Sequence, residues 1–111
     1  MNKIFKILIL VLLFLHQISI AREETYTESA DKIFTVAISV ISSFKYDLKE
    51  INYSRGKAIF TSQTDSYALD VMQNSKLTTV KIQEINSSTD STKATIDNIF
   101  QQLTKIYGTK E

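Results

Sequence analysis

Four carboxylates, Asp47, Glu50, Asp70 and Glu84, and a run of basic residues interleaved with tyrosines are the groups whose types and spacing suit chemistry. A carboxylate pair held several ångströms apart across a cleft hydrolyses glycosidic bonds. Lys45, Tyr46, Lys49, Tyr53, Arg55 and Lys57 follow a pattern that binds single-stranded nucleic acid or anionic glycans, because bases and sugars stack on rings while cations meet their charge. Both sets fall in stretches that also read as strand surface. There the four carboxylates alternate with lysines, as on an outer, wet sheet face. Asp47 and Glu50 dilute the basic run, so ordinary strand surface is the preferred reading of each set and no catalytic residue is assigned.

Other chemistries are closed off by composition. The chain has no cysteine and one histidine, His16. His16 lies inside MNKIFKILILVLLFLHQISIA, where Lys3 and Lys6 precede an unbroken apolar run from Ile7 to Leu15 and small residues stand at Ser19 and Ala21. That is the order of a secretory signal peptide. The clean apolar run is about half the roughly 20 residues that a membrane-spanning helix needs. Residues 1–21 are therefore expected to be a cleaved leader, with Arg22 as the new N-terminus and the protein free in the periplasm or outside the cell. Without residues 1–21, no His-dependent or Cys-dependent nucleophilic site can be built, and no zinc site from those ligands. Asp65 and Asp70 are five apart with Tyr67, Ala68 and Leu69 between them, and Asp90 and Asp97 fall at the ends of a helical stretch. Neither pair has the close oxygen-ligand spacing of a calcium loop. No metal or cofactor is expected. Two isolated glycines, Gly56 and Gly108, cannot form a phosphate-cradling loop.

Charge narrows the partners. Loss of Lys3 and Lys6 leaves eleven of the thirteen basic residues against twelve acidic ones. A balance so near neutrality exerts no general pull on nucleic acid or acidic lipid. No nucleic-acid partner and no stable membrane insertion after cleavage are expected. About 90 residues suffice for one small domain, whose stability must come from packing or from a partner because no disulfide is available. Self-association is compatible with so small a core.

The elements that must position these residues follow from periodicity. A short loose tail is expected over residues 22–26, and one α+β domain over 27–111. Ala30, Ile33, Phe34, Ala37, Val40, Ile41 and Phe44 share one face of a helix over 26–44, with Thr25 and Glu28 as its capping box. Residues 45–62 read as a hairpin turning at Ser54-Arg55-Gly56, with a bulge near Glu50 where the alternation slips by one residue. Residues 66–85 read as a second hairpin turning at Gln73-Asn74-Ser75-Lys76. Ser87-Ser88-Thr89-Asp90 forms a loop with good N-cap residues, and a helix over 91–107 carries Ile96, Ile99, Phe100, Leu103, Ile106 and Tyr107 on one stripe. Gly108 suits the position just past its end. The expected architecture is helix, four-stranded antiparallel meander, helix, with both helices on one face. The strands KYDLKEINYS and TTVKIQEI would be its edges, where Lys45, Lys49 and Lys81 deter uncontrolled pairing.

This layout resembles the small helix–four-strand–helix domains of exported proteins in Gram-negative bacteria, among them the repeated domains of the outer-membrane assembly lipoprotein BamC. The opening helix ending near Phe44, the hairpin around Gly56, the alternating SYALDV and TTVKIQEI, and the closing IDNIFQQLTKIY carry the resemblance. It implies a non-catalytic envelope domain that recognises an envelope protein or a cell-wall polymer, and it transfers no site residues. The chain departs from the lipoprotein members by lacking the cysteine that would be acylated. Two alternatives use the same scaffold: an inhibitor or immunity-type protein against an envelope hydrolase, anchored by Tyr53 and Arg55 at a hairpin tip, and a small hydrolase dependent on Asp70 and Glu84.

Overall fold

A computed structural model describes residues 20–86 and 92–108. In chain order it contains β1 (Ala21–Tyr26), α1 (Ala30–Ser43), β2 (Asp47–Asn52), β3 (Lys57–Ser62), β4 (Asp65–Asn74), β5 (Leu77–Asn86) and α2 (Thr92–Tyr107). The five strands form one antiparallel sheet in the order β1-β5-β4-β3-β2, and the fold class is α+β. The expected leader other than Ile20 and Ala21, the loop expected over 87–90, Ser91 and residues 109–111 lie outside the described residues.

The strands β2 to β5 form the expected meander, but the sheet has a fifth member. The segment expected to be a loose tail is β1, paired with β5 from Ala21↔Gln83 to Tyr26↔Thr78. TTVKIQEI is therefore an interior strand, and the two edges are β1 and β2. The chain leaves β1, crosses the sheet through α1, and re-enters at the opposite edge.

Alternation sorts the sheet into two faces. Tyr67, Leu69 and Val71 of β4 and Val80 and Ile82 of β5 are buried, as are Ala58 and Phe60 of β3. Against them pack Ile33, Phe34, Ala37, Ile38, Val40 and Ile41 of α1 and Ile96, Ile99, Phe100 and Leu103 of α2. Full burial of each of the larger side chains among them contributes roughly 1.5–3 kcal/mol, which is how a disulfide-free chain holds together. Four rings run through this layer: Phe44, Tyr46, Phe60 and Tyr67 stack in sequence with centroids 5.5, 6.0 and 5.2 Å apart and near-parallel planes. Ile106 departs from the expected stripe: it is 55% exposed, while its neighbour Tyr107 turns inward and packs against Tyr26 of β1, with ring centroids 6.2 Å apart.

The ends of α1 also differ from expectation. Thr25 lies in β1, and the N-cap is Ser29, whose own side chain makes no capping bond. The orphan N–H groups of the first turn find other partners. Glu28 Oε1 accepts from the Ser29 N–H at 2.9 Å, and Gln73 Oε1, from the end of β4, accepts from the Ala30 N–H at 3.1 Å. Thr78 Oγ1 of β5 donates to the Glu28 carbonyl at 2.6 Å, tying this corner to the sheet. At the other end Tyr46 N donates to the Ile41 carbonyl and Lys45 N to that of Ser42, with Lys45 at φ 65°. This is a Schellman-type stop that uses lysine where glycine is the commonest choice.

The hairpins turn tightly. Gln63 and Ser75 begin the two-residue loops of β3–β4 and β4–β5, with φ of 59° and 62°. The β2–β3 turn is fixed by Asn52, whose Oδ1 accepts from Ser54 Oγ at 2.8 Å and from the Arg55 N–H at 3.2 Å. Gly56 closes it at φ 64° and accepts a 2.8 Å hydrogen bond from Val71 N of β4. A Cβ at this position would stand 2.5 Å from the Val71 carbonyl oxygen, so both conformation and space require glycine. The expected bulge is present: the register shifts between Leu48 and Glu50, so that Lys49 is the additional residue.

Candidate binding face

The face of the sheet away from the helices carries a patterned polar surface. Register brings Glu23, Lys81, Asp70, Lys57 and Asn52 into one row across all five strands, through the pairs Glu23↔Lys81, Lys81↔Asp70, Asp70↔Lys57 and Lys57↔Asn52. Charges alternate in sign along it, so each cation faces an anion across the strand gap, where opposite charges are mildly stabilising. Lys57 Nζ stands 3.7 Å from Asp70 Oδ2. The adjacent row is smaller and less polar: Ala21, Gln83, Ala68, Ile59 and Glu50.

Where these rows meet β2, the surface sinks into an open hollow of about 580 Å³. Glu50, Asn52, Arg55, Lys57 and Asp70 supply its polar rim, and Ile59 and Ala68 line its floor. The hairpin turn holds the rim in place: Asn52 fixes the backbone of Arg55, and Gly56 lets the turn close onto β4. The hollow thus offers two cations, two carboxylates and an amide around a small apolar floor. That set is complementary to a surface carrying both signs of charge, and nothing in it favours a purely anionic ligand.

The structure divides the residues singled out by sequence. Of the four carboxylates, Asp47, Glu50 and Asp70 belong to the open face, opposite Thr61, Ile59 and Lys57. Glu84, expected beside them, is on the helix face, opposite the buried Tyr67, where its Oε1 accepts from the Ile20 N–H at 3.2 Å. Asp70 and Glu84 therefore do not face one cleft. Asp47 is engaged by Lys49 at 2.7 Å. The basic and aromatic residues are split as well. Tyr46 stacks on Phe60, and Tyr53 packs edge-on against Phe34 of α1 at 5.4 Å, both on the helix side. Arg55 and Lys57 belong to the open side. Rings and cations thus share a hairpin without sharing a surface, and Tyr53 and Arg55 do not form one anchor. Among the described residues no group of three or more His, Cys, Asp or Glu is placed to hold a metal ion, and no helix is long and apolar enough to cross a membrane.

A second polar node, absent from the sequence reading, sits on the helix side of β1. The Arg22 guanidinium bonds Glu24 Oε1 at 2.7 Å and Asp97 Oδ1 of α2 at 2.8 Å, and its Cζ lies 4.9 Å above the Phe100 ring. Hydrogen bonding of the guanidinium to Glu24, helped by that to Asp97, raises its pKa above the usual value despite partial desolvation. This node fastens β1 to α2. Its signal in the sequence was weak, because Arg22 and Glu24 occupy inward-facing positions where the alternation rule expects apolar residues. The chain matches no protein-family model and no curated protein sequence.

Proposed function

We propose that this protein is a small exported, non-catalytic domain of the bacterial cell envelope that binds a partner through the open face of its sheet. The observation that carries the reading is the hollow beside β2, where Arg55, Lys57, Glu50 and Asp70 present both charge signs around Ile59 and Ala68. The secretory order of residues 1–21 supports the compartment. An envelope protein, or the peptide-bearing part of a cell-wall polymer, has the mixed charge this rim complements. A strictly anionic polymer does not, because Glu50 and Asp70 would repel it.

The test compares the exported protein with its Arg55→Glu and Lys57→Glu variants. Capture from envelope extract and co-sedimentation with purified cell-wall sacculi are measured for each. Loss of one of these interactions in both variants, with the circular dichroism spectrum unchanged, supports the reading. Equal retention by all three proteins places any binding site elsewhere.

A further inference from the structure

Strand β2 is an edge of the sheet, and its exposed side is not uniformly polar. Ile51 is 41% exposed and Tyr53 61%, next to the half-buried Tyr46 and Leu48. The bulge makes this edge distinctive. Leu48 faces Phe60 and Ile51 faces Ala58, so both lie on the helix side although they are three residues apart. Asp47 faces Thr61 and Asn52 faces Lys57, so both lie on the open side although they are five apart.

Antiparallel pairing of a strand with its own copy across a two-fold axis sets each residue opposite another whose number makes a constant sum with it. Side chains that face each other must lie on the same side of the sheet. In a regular strand this permits only even sums. Even sums fail on β2. Centring on Lys49 sets Asp47 against Ile51, and centring on Glu50 sets Leu48 against Asn52, each a mismatch of faces. The first also places lysine against lysine and the second glutamate against glutamate. The bulge reverses the parity. With the axis between Lys49 and Glu50, Leu48 meets Ile51, Asp47 meets Asn52, Tyr46 meets Tyr53 and Lys49 meets Glu50, and every pair occurs twice.

We propose that β2 pairs with β2 of a second copy of this chain in that one register, joining two five-stranded sheets into a continuous sheet of ten strands. Leu48 and the partner's Ile51 extend the apolar layer across the seam. A bulge and a lysine on an edge ordinarily deter strand addition. Here they deter a straight strand, whose alternation cannot follow the bulge, and they admit a strand with the same bulge and the complementary charge order. The seam shares Glu50, Ile51 and Asn52 with the lining of the hollow, so the test reads the oligomeric state alone, and its failure is distinct from a failure of partner capture.

Sedimentation equilibrium of the exported protein tests it with three charge variants. Wild type is expected to dimerise. Lys49→Glu and Glu50→Lys each turn both Lys49–Glu50 contacts from attraction to repulsion, which weakens the dimer by about tenfold or more. An equimolar mixture of the two single variants, and the double variant carrying both substitutions, restore opposite charges at both contacts and are expected to dimerise again. Circular dichroism confirms that each variant is folded. A monomeric wild type at its highest soluble concentration overturns the proposal. So do single variants that assemble as tightly as wild type, and so does a mixture that stays monomeric.

Discussion

Replacement of Gly56 by alanine isolates a steric cost that can be worked from the structure. Two terms contribute. The first is conformational: at φ 64° an alanine stands about 1 kcal/mol above glycine. The second is contact: the new Cβ would lie 2.5 Å from the Val71 carbonyl oxygen, closer than real Cβ atoms approach backbone oxygen. Relief by a side-chain rotation is unavailable, because the obstacle is backbone. The Val71 N–H bond to the Gly56 carbonyl, at 2.8 Å, holds the two strands together at this point. Opening the gap loosens that bond, at a cost of about 0.5–1.5 kcal/mol, and disturbs the neighbouring Lys57↔Asp70 pair. The sum is about 1.5–2.5 kcal/mol. Gly108 provides the internal control. It has φ 70° and nothing within 4 Å of the corresponding Cβ, so Gly108→Ala carries the conformational term alone, about 1 kcal/mol or less. Urea denaturation followed by circular dichroism measures both, provided that the slope with denaturant is unchanged. Equal destabilisation by the two substitutions, within about 0.5 kcal/mol, refutes the contact argument.

Lys45 holds the left-handed position after α1, and Lys45→Gly is expected to raise stability by about 0.5–1 kcal/mol in the same titration, since glycine adopts that φ without penalty. Tyr26 is fully buried beneath α2, with its hydroxyl 3.3 Å from Thr104 Oγ1, and desolvation raises its pKa above the usual value near 10. A phenol whose folded pKa is raised binds its proton more tightly in the native state. Its contribution is therefore complete below pH 10 and falls as pH rises beyond that value. Stability is expected to decline above pH 10 with a slope that Tyr26→Phe reduces, as followed by denaturant titration at stepped pH; an unaltered slope in the variant assigns the decline to other groups.

The legible parts of the fold were those where burial imposes a clear period. The stripe of Ile96, Ile99, Phe100 and Leu103 and the alternation of Tyr67, Leu69 and Val71 against Val80 and Ile82 are direct consequences of facing one apolar layer. The slip after Leu48 was legible for the same reason, since Ile51 had to return to the core side. Strand β1 was not. In AREETY only Tyr26 is a large apolar residue, and the inward positions before it are filled by Arg22 and Glu24, which pair with each other while Arg22 also bonds Asp97 of α2. A charged pair that completes itself leaves no hydrophobic signature, so the segment reads as tail. The turn at Gln63-Thr64 was silent because neither residue is a customary left-handed former. The face of Glu84 was accessible in principle, because it continues the alternation of Val80 and Ile82. The hollow on the open face was the least legible feature, since it depends on which side of the β2–β3 hairpin each residue faces, and there the bulge exchanges the two sides.

The route of the chain from β1 across to β2 has a kinetic consequence. Strands β2 to β5 succeed one another through two-residue or four-residue turns, so each can zip onto its predecessor as soon as it is available. The N-terminal strand has no such neighbour: Arg22 must wait for Ile82, sixty positions later. Closure over that distance is entropically slow relative to hairpin formation. The last event of folding is then the arrival of the first segment, and β1 is the piece expected to detach most readily from the finished sheet. Amide hydrogens from Glu23 to Tyr26 would exchange ahead of those in β4, reporting an opening that leaves the rest of the molecule intact.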